Sequence, residues 1–400
     1  MALPFLKSAP KKCLGLHIGA SQIRVVEIER GKGGLMLTNI GWMETPSEAY
    51  VGSHLENPSI VSGALSRLLA SRNIRTKRVI GTIDNNDTIA RTIVLPSMAK
   101  KDLRKAIIFE TEASLPSTGE ENILDYQILR LFENPEDNSE QVEVLILSTH
   151  RQNSVALAEA MTQADLKPVA IDLTPIASFR AEKRSDTYLE QGEDLIVITI
   201  NDRCIDLTII HQGHVRLVRS LPIGASNMLD ILGEKPLFND KGDAFKKSEE
   251  TESPEPEQEQ ESADVFDPFG GGGRAAPSPF GAGRGGLHMS GPGEGGPGIG
   301  RIESVITDLA DETLNTMRYG QSFGKEQSEV KYAMINGYFP YKESFIESLK
   351  EKLGLDVFSG NPFASLDVTS PSLDGDLIDR FSPNFSAACG LALRGVGEYE

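Results

Sequence analysis

The chain has few cysteines, no long apolar run and fewer basic than acidic residues. Its 400 residues include only three cysteines, which lie far apart with no CxxC pair, so neither a disulfide framework nor a zinc site is predicted. No segment approaches the roughly 20 apolar residues that a membrane-spanning helix needs, so direct membrane insertion is not expected. The 40 basic and 58 acidic residues leave a net charge of -18, which argues against nucleic acid as a partner.

Two parts of the chain repeat the same order of predicted elements. The strand-like runs of the first half lie at 14–18, 23–30, 35–41 and 78–83. Those of the second half lie at 194–200, 205–211, 214–220 and 330–336. In each half, three strands are followed by helical material and a fourth strand. This duplicated βββαβα order is typical of ribonuclease-H-like folds, and the chain length favours more than one domain.

The remaining segments complete a domain plan. A β-α-β-β-α pattern between the halves predicts a small α+β insert whose last helix runs from Ser154 to Ala164. An acidic and then Gly/Pro-rich stretch is predicted to be disordered, because it cannot bury enough apolar area to offset about 1–2 kcal/mol of backbone entropy per residue. The plan is a flexible tail (1–12), a first lobe (13–85, completed by about 166–188), the insert (86–165), the start of a second lobe (189–239), the linker (240–300) and the remainder of the second lobe (301–400).

The first strand pair contains a turn of small residues. The segment LGLHIGASQIRVVEI places Gly19, Ala20 and Ser21 between two strands, where small side chains let a phosphate approach the backbone. This hairpin resembles that of the type IV pilus assembly PilM family, which belongs to the actin-like, FtsA-like ATPase superfamily. Further motifs that resemble this family lie at 92–96, 115–116, 125–127, 213–228, 353–363 and 386–395.

The resemblance implies an α/β fold, with two ribonuclease-H-like (actin-like) lobes and an inserted α+β subdomain. In that fold a nucleotide lies between the lobes, and each lobe presents a hairpin to its phosphates. The positions that the resemblance assigns to the nucleotide site are Gly19, Ala20, Ser21, Arg24, Asn201 and Gly337.

Several of these positions depart from the family pattern. His17 stands where the family has an aspartate, and a histidine does not replace a carboxylate beside hydrated magnesium. Arg24 replaces a lysine, while Thr199 and Asn201 replace the acid and the glycine of the second hairpin. Asp202 follows directly, but a shift of one position along a strand turns a side chain to the other face.

The third nucleotide element also differs. Its sequence is Asn336-Gly337-Tyr338-Phe339, which predicts two large rings on the adenosine side. Without the hairpin acids, magnesium could not neutralise charge during phosphoryl transfer. We therefore expect a degenerate site with no catalytic residue, no metal and no bound cofactor; the alternative is a site that still binds ATP and magnesium, with Tyr338 stacked on adenine.

The resemblance finally implies a function. It predicts a cytoplasmic adaptor, peripheral to the inner membrane through its partners, in a type IV pilus or related secretion complex. A groove between the first lobe and the insert would accept the cytoplasmic N-terminal tail of a PilN-like membrane protein, and other platform proteins would bind elsewhere. The alternatives are an active actin-like ATPase of the same machine and a cytoplasmic component of type II secretion.

Overall fold

The computed structural model of this protein describes most of the chain outside its predicted linker and tail. The tail over 1–9 and the linker as far as residue 297 lie outside the described residues. The structure describes residues 10–51, 54–84, 89–112, 122–134, 137–185, 193–234, 298–321, 330–368, 378 and 381–397.

Strands and helices alternate through both halves of the chain. The first strands are β1 (Lys12–Ile18), β2 (Gln22–Arg30), β3 (Leu35–Glu44), β4 (Tyr50–Val51), β5 (His54–Leu55), β6 (Arg78–Ile83), β7 (Ile89–Pro96) and β8 (Asn122–Glu133). The later strands are β9 (Glu140–His150), β10 (Lys167–Ile171), β11 (Leu195–Ile200), β12 (Ile205–His211), β13 (His214–Leu221), β14 (Tyr332–Gly337) and β15 (Asp356–Ser359). The α-helices are α1 (Pro58–Ser71), α2 (Lys100–Glu112), α3 (Arg151–Gln163), α4 (Thr174–Ser185), α5 (Ala225–Leu232), α6 (Glu303–Gln321), α7 (Lys342–Leu353) and α8 (Ser386–Gly395).

Both lobes contain the same strand arrangement. The first-lobe sheet has the order β10-β6-β1-β2-β3, with β1, β2 and β3 antiparallel and β6 parallel to β1. In the second lobe, β15-β14-β11-β12-β13 repeats this order, with β14 parallel to β11. The central strands β1 and β11 are apolar on both faces and buried, as expected for strands covered by helices on each side. The predicted duplicated two-lobe fold is confirmed.

The insert is joined to the second lobe by strand pairing. Its strands β7, β9 and β8 extend the second-lobe sheet, because β7 pairs with β13 at Leu217–Arg91 and Val218–Ala90. An edge strand such as β13 offers unpaired backbone groups, and β7 satisfies some of them. Helix α2 covers this extension through Leu103 and Ile107. The insert therefore shares a continuous sheet with the second lobe.

Two helices pack on the first lobe, although the sequence predicted them in other parts of the fold. Helix α3, predicted as part of the insert, buries Leu157 and Met161 in the first-lobe core with α1. Helix α8, predicted in the remainder of the second lobe, packs on β1, β6 and α4 of the first lobe. A Cβ atom on Gly15 of β1 would lie 1.9 Å from the carbonyl oxygen of Ala388, so glycine is needed there for the helix to approach the sheet. Helix α8 thus covers one face of the first-lobe sheet.

Candidate functional site

A carboxylate of the second lobe lies against the first-hairpin turn, Gly19–Gln22. Oδ2 of Asp202 accepts hydrogen bonds from the backbone N–H groups of Ser21 at 2.7 Å and Gln22 at 3.3 Å. Oδ1 of Asp202 accepts from the Arg24 guanidinium at 3.2 Å. A Cβ atom at Gly19 would lie 2.2 Å from Oδ2 of Asp202, so the glycine makes room for this carboxylate. The turn predicted to hold phosphate therefore holds a side chain of the same protein.

A chain of buried polar groups continues from Arg24. Its Nη1 lies 3.5 Å from Nδ1 of His17, and Nε2 of His17 lies 2.6 Å from Oδ1 of Asp84. A guanidinium can only donate, so Nδ1 of His17 acts as the acceptor and Nε2 carries the proton given to Asp84. His17 thus has a hydrogen-bonding role that links β1 to the end of β6.

The environment of Asp202 favours its charged form. Burial by itself raises the pKa of this carboxyl. The Arg24 charge and the hydrogen bond from Ser21 outweigh burial and hold the pKa of Asp202 below its usual value. The Asp202–Arg24 pair is a buried ion pair between the lobes, with both side chains at most 5% exposed.

Asp202 lies outside strand β11, so the alternation of side chains along a strand does not turn it away from the first hairpin. Strand β11 ends at Ile200, so Asp202 lies in the following turn, where strand alternation no longer sets side-chain direction. The Asp202 carbonyl accepts from the N–H of Ser226 at 2.9 Å, at the beginning of α5. The next residue, Arg203, stacks over the ring of Tyr50 from the first lobe at 5.8 Å. The whole turn is therefore inserted against the first lobe.

A second aspartate lies beneath this turn. Asp206 accepts a hydrogen bond from Nδ2 of Asn201 at 2.8 Å and another from the Ser220 hydroxyl. Burial, reinforced by the charge of Asp84, raises the pKa of Asp206 to about 7 in spite of these hydrogen bonds. Asn201, predicted as a nucleotide-site position, thus forms a hydrogen bond within the second hairpin, to Asp206.

A small cavity lies between the lobes and measures about 10 Å³. This volume holds roughly one water molecule, whereas pockets for small organic ligands measure about 300–1,000 Å³. Gly19 and Ser21 contact Asp202, and Ala20 is partly exposed in the same turn. The residues that line the cavity are His17, Arg24, Ser178, Thr199, Ile200, Asn201, Gly337, Pro383, Asn384, Ser386 and Ala387.

The third nucleotide element differs from the sequence prediction. The ring of Phe339 lies in the second-lobe core, 5.3 Å from the ring of Phe345, and Tyr338 packs against the same core. The prediction that Phe339 fills the adenosine side is therefore wrong. Gly337 has a φ of +90°, and a Cβ atom there would lie 1.9 Å from the Ile200 carbonyl oxygen. At this position the backbone of β14 packs directly against the backbone of β11, with no aromatic ring between them.

A larger opening lies at the junction of the first lobe and the insert. Its volume is about 580 Å³. Two hydrogen bonds hold its walls together: Leu55 N–H donates to Asn153 at 3.3 Å, and Gln152 donates to Glu56 at 2.9 Å. Val155, at 48% exposed, leaves an apolar surface in the opening. We call this opening the junction groove; it is lined by Leu55, Glu56, Pro58, His150, Arg151, Gln152, Val155, Ala156 and Glu159.

The described residues show neither a metal-binding cluster nor a helix suited to cross a membrane. Within the described ranges, no three His, Cys, Asp or Glu side chains are grouped as a metal site. His211 and His214 flank the Gln212-Gly213 turn, and Nδ1 of His211 lies 2.9 Å from the Asp194 carboxylate. None of the helices in the described part of the chain is long and apolar enough to cross a bilayer.

The sequence of this chain matches a known protein family. The family model for type IV pilus assembly protein PilM matches residues 15–269, more than half of the chain. The chain belongs to the PilM family. No sequence among curated proteins matches it.

Solved structures resemble this PilM-family chain over nearly its whole length. The PilM-PilN type IV pilus biogenesis complex is 20% identical, with a TM-score of 0.70 over 97% of this chain and 99% of that chain. The ethanolamine utilization protein EutJ from Carboxydothermus hydrogenoformans is 12% identical, with a TM-score of 0.47 over 96% and 90% of the two chains. The (R)-2-hydroxyglutaryl-CoA dehydratase component A of Acidaminococcus fermentans is 11% identical, with a TM-score of 0.44 over 97% and 99%. The first of these likenesses supports the two-lobe fold that the sequence motifs imply.

Proposed function

We propose that this PilM-family protein is a cytoplasmic adaptor of a type IV pilus assembly complex that works without a bound nucleotide. It reaches the inner membrane through its partners, chiefly the cytoplasmic N-terminal tail of a PilN-like protein. Membership of the PilM family and the 20% identical PilM-PilN structure support the partner. The single observation that carries the nucleotide-free role is the Asp202 carboxylate in the first-hairpin turn.

The contents of the cleft support a degenerate nucleotide site. A triphosphate entering the first-hairpin turn would have to displace Asp202 from Arg24 and from the backbone of Ser21. It would also meet the buried carboxylates of Asp84 and Asp202 at close range, and like charges in a low-dielectric site repel strongly. In addition, Thr199 occupies the position of the second-hairpin acid, which leaves that hairpin without the carboxylate the family uses for magnesium.

The purified protein is expected to show neither ATP turnover above background nor thermal stabilisation by ATP and magnesium. A ligand that binds only the native state raises the melting temperature by mass action, so about 100 Kd of ligand would add about 2.7 kcal/mol of stability. Differential scanning fluorimetry and phosphate release at millimolar nucleotide measure both effects. A saturable rise in melting temperature with ATP would contradict the nucleotide-free role.

The junction groove is the proposed site for the partner tail. Its apolar residues Pro58 and Val155 suit the side chains of an extended peptide, while Glu56 and Arg151 offer polar partners. Its volume of about 580 Å³ falls in the range of sites that bury small ligands or a few side chains. Leu55, Pro58 and helix α3 belong to the first lobe, and His150 ends the insert strand β9. The opening thus borders both parts of the chain between which the sequence analysis expects a peptide site.

Replacing Val155 with aspartate is expected to weaken binding of a PilN-like tail peptide at least about ten-fold, or about 1.4 kcal/mol. The bound peptide would remove water from the new carboxylate, which costs free energy. Glu56 and Glu159 line the same groove, so their charges would add repulsion. Fluorescence anisotropy with a labelled peptide measures the change.

The matched control is Val169→Asp, because Val169 is similarly exposed, at 43%, but lies on β10 away from the groove. This control should bind like the wild type. Equal loss of affinity in the two variants would rule out the groove, and failure of the wild type to bind at high micromolar peptide would rule out the partner.

A further inference from the structure

We propose that Asp202 is a built-in ligand of an anion-binding turn, occupying the place of a phosphate and locking the two lobes together. The turn is Gly19–Gln22 in the first lobe, and the ligand comes from the second lobe. The chemical class that this turn would accept, once Asp202 is removed, is a phosphate or pyrophosphate anion.

The geometry is that of anion recognition rather than of a simple surface ion pair. Consecutive backbone N–H groups of Ser21 and Gln22 converge on one oxygen, and the Arg24 guanidinium binds the other. Converging N–H groups in a glycine-containing turn form a concave site that selects anions. Both side chains of the pair are buried, with Arg24 at 4% and Asp202 at 2% exposed, so water does not compete for these donors.

The position of Asp202 is specified from both lobes. Residue 19 has to be glycine for the carboxylate to fit, since a Cβ atom added at Gly19 would lie 2.2 Å from Oδ2 of Asp202. From the other side, a Cβ atom at Gly224 would lie 2.6 Å from the Asn201 carbonyl oxygen and 2.6 Å from the Arg203 nitrogen. Two glycines thus allow the turn that carries Asp202 to enter between the first hairpin and the beginning of α5.

The contact joins the two lobes at one turn. Asp202 pairs with Arg24 of the first lobe, and the next residue, Arg203, lies over the ring of Tyr50 of the first lobe. The Asp202 carboxylate thus supplies a contact between the lobes at the turn where the resemblance places the phosphates of a nucleotide.

The test is anion binding by the full-length Asp202→Ala protein, with inorganic pyrophosphate as the probe. Removal of the carboxylate leaves Arg24 and two backbone N–H groups facing a vacated position, so calorimetry is expected to give a Kd below about 1 mM. The wild type should bind at least about ten-fold more weakly. Asp230→Ala, which removes an exposed aspartate of α5, is the matched control and should behave like the wild type.

Two results would overturn the proposal: equal pyrophosphate binding by wild type and Asp202→Ala, or a folded Asp202→Ala protein that binds none. If that variant does not fold, amide hydrogen exchange of the wild type decides. Exchange should be slow at Ser21 and Gln22, whose N–H groups are hydrogen-bonded to Asp202. Fast exchange there, with slow exchange in the flanking strands β1 and β2, would show that the turn is not occupied.

Discussion

Replacing Asp202 with alanine is expected to lower the free energy of unfolding by about 3–5 kcal/mol, the usual cost of removing one partner of a buried ion pair. The loss is large because Arg24, which is 4% exposed in the wild type, would keep a buried charge without its carboxylate partner. The N–H groups of Ser21 and Gln22 also lose their acceptor, at about 1–3 kcal/mol for each buried group left unsatisfied. Urea denaturation followed by circular dichroism measures the change.

A double-mutant cycle separates the ion pair from the backbone contacts. Arg24→Met and Asp202→Leu should each be strongly destabilising, while the double variant should lose less than their sum by about 2 kcal/mol or more, since no uncompensated charge remains. Asp230→Ala should stay within about 0.5 kcal/mol of the wild type, because it changes an exposed side chain. A single variant at Asp202 that loses under about 1 kcal/mol would contradict the buried-pair interpretation.

Replacing Asp206 with asparagine is expected to remove a large pH dependence of stability. The pKa of Asp206 is raised by burial to about 7, from 3.8 for an unperturbed aspartate. A carboxyl whose pKa is raised on folding contributes stability that is complete below the unfolded pKa and is lost as the pH rises through the folded pKa. The stability contribution of Asp206 is therefore lost as the pH rises from about 4 to about 7.

The difference between the two proteins gives the size of this effect. Between about pH 5 and about pH 8, wild-type stability should fall relative to Asp206→Asn by about 2.5 kcal/mol. Asparagine can still accept the hydrogen bond from Asn201 and donate to the Ser220 oxygen, so the packing is preserved. Urea midpoints at both pH values measure the difference, with Asp230→Asn as the exposed control. A constant difference across this range would show that Asp206 does not titrate there.

The elements of the fold were largely predictable from local patterns. The run at 78–83 coincides with β6, and the helix through Phe345 ends at Leu353, just before Gly354 with a φ of +67°. These signals are local because buried side chains repeat at the strand or helix period and glycine accepts left-handed backbone. The placement of α3 and α8 could not be predicted in this way, because an apolar helix face does not specify which sheet will cover it.

Several residues that the motifs assign to a nucleotide site lie near one another, but their contacts were not predicted. Gly19, Ser21 and Arg24 lie together as the motif implied, and Asn201 and Gly337 line the same small cavity. Asp202 was missed as a contact of the first hairpin. An acid directly after the end of a strand, next to a hairpin turn, was the one signal that could have pointed to it.

The sequence by itself determined the duplicated strand order, the insert and the replacement of family acids at His17 and Thr199, because each is carried by residue type and spacing along the chain. Only the tertiary structure decided what occupies the cleft. The contact between Asp202 and Ser21 joins residues 181 positions apart, and it depends on how two lobes and two glycine-containing turns meet. Such a contact follows from the packing of complete sheets, which local periodicity does not encode.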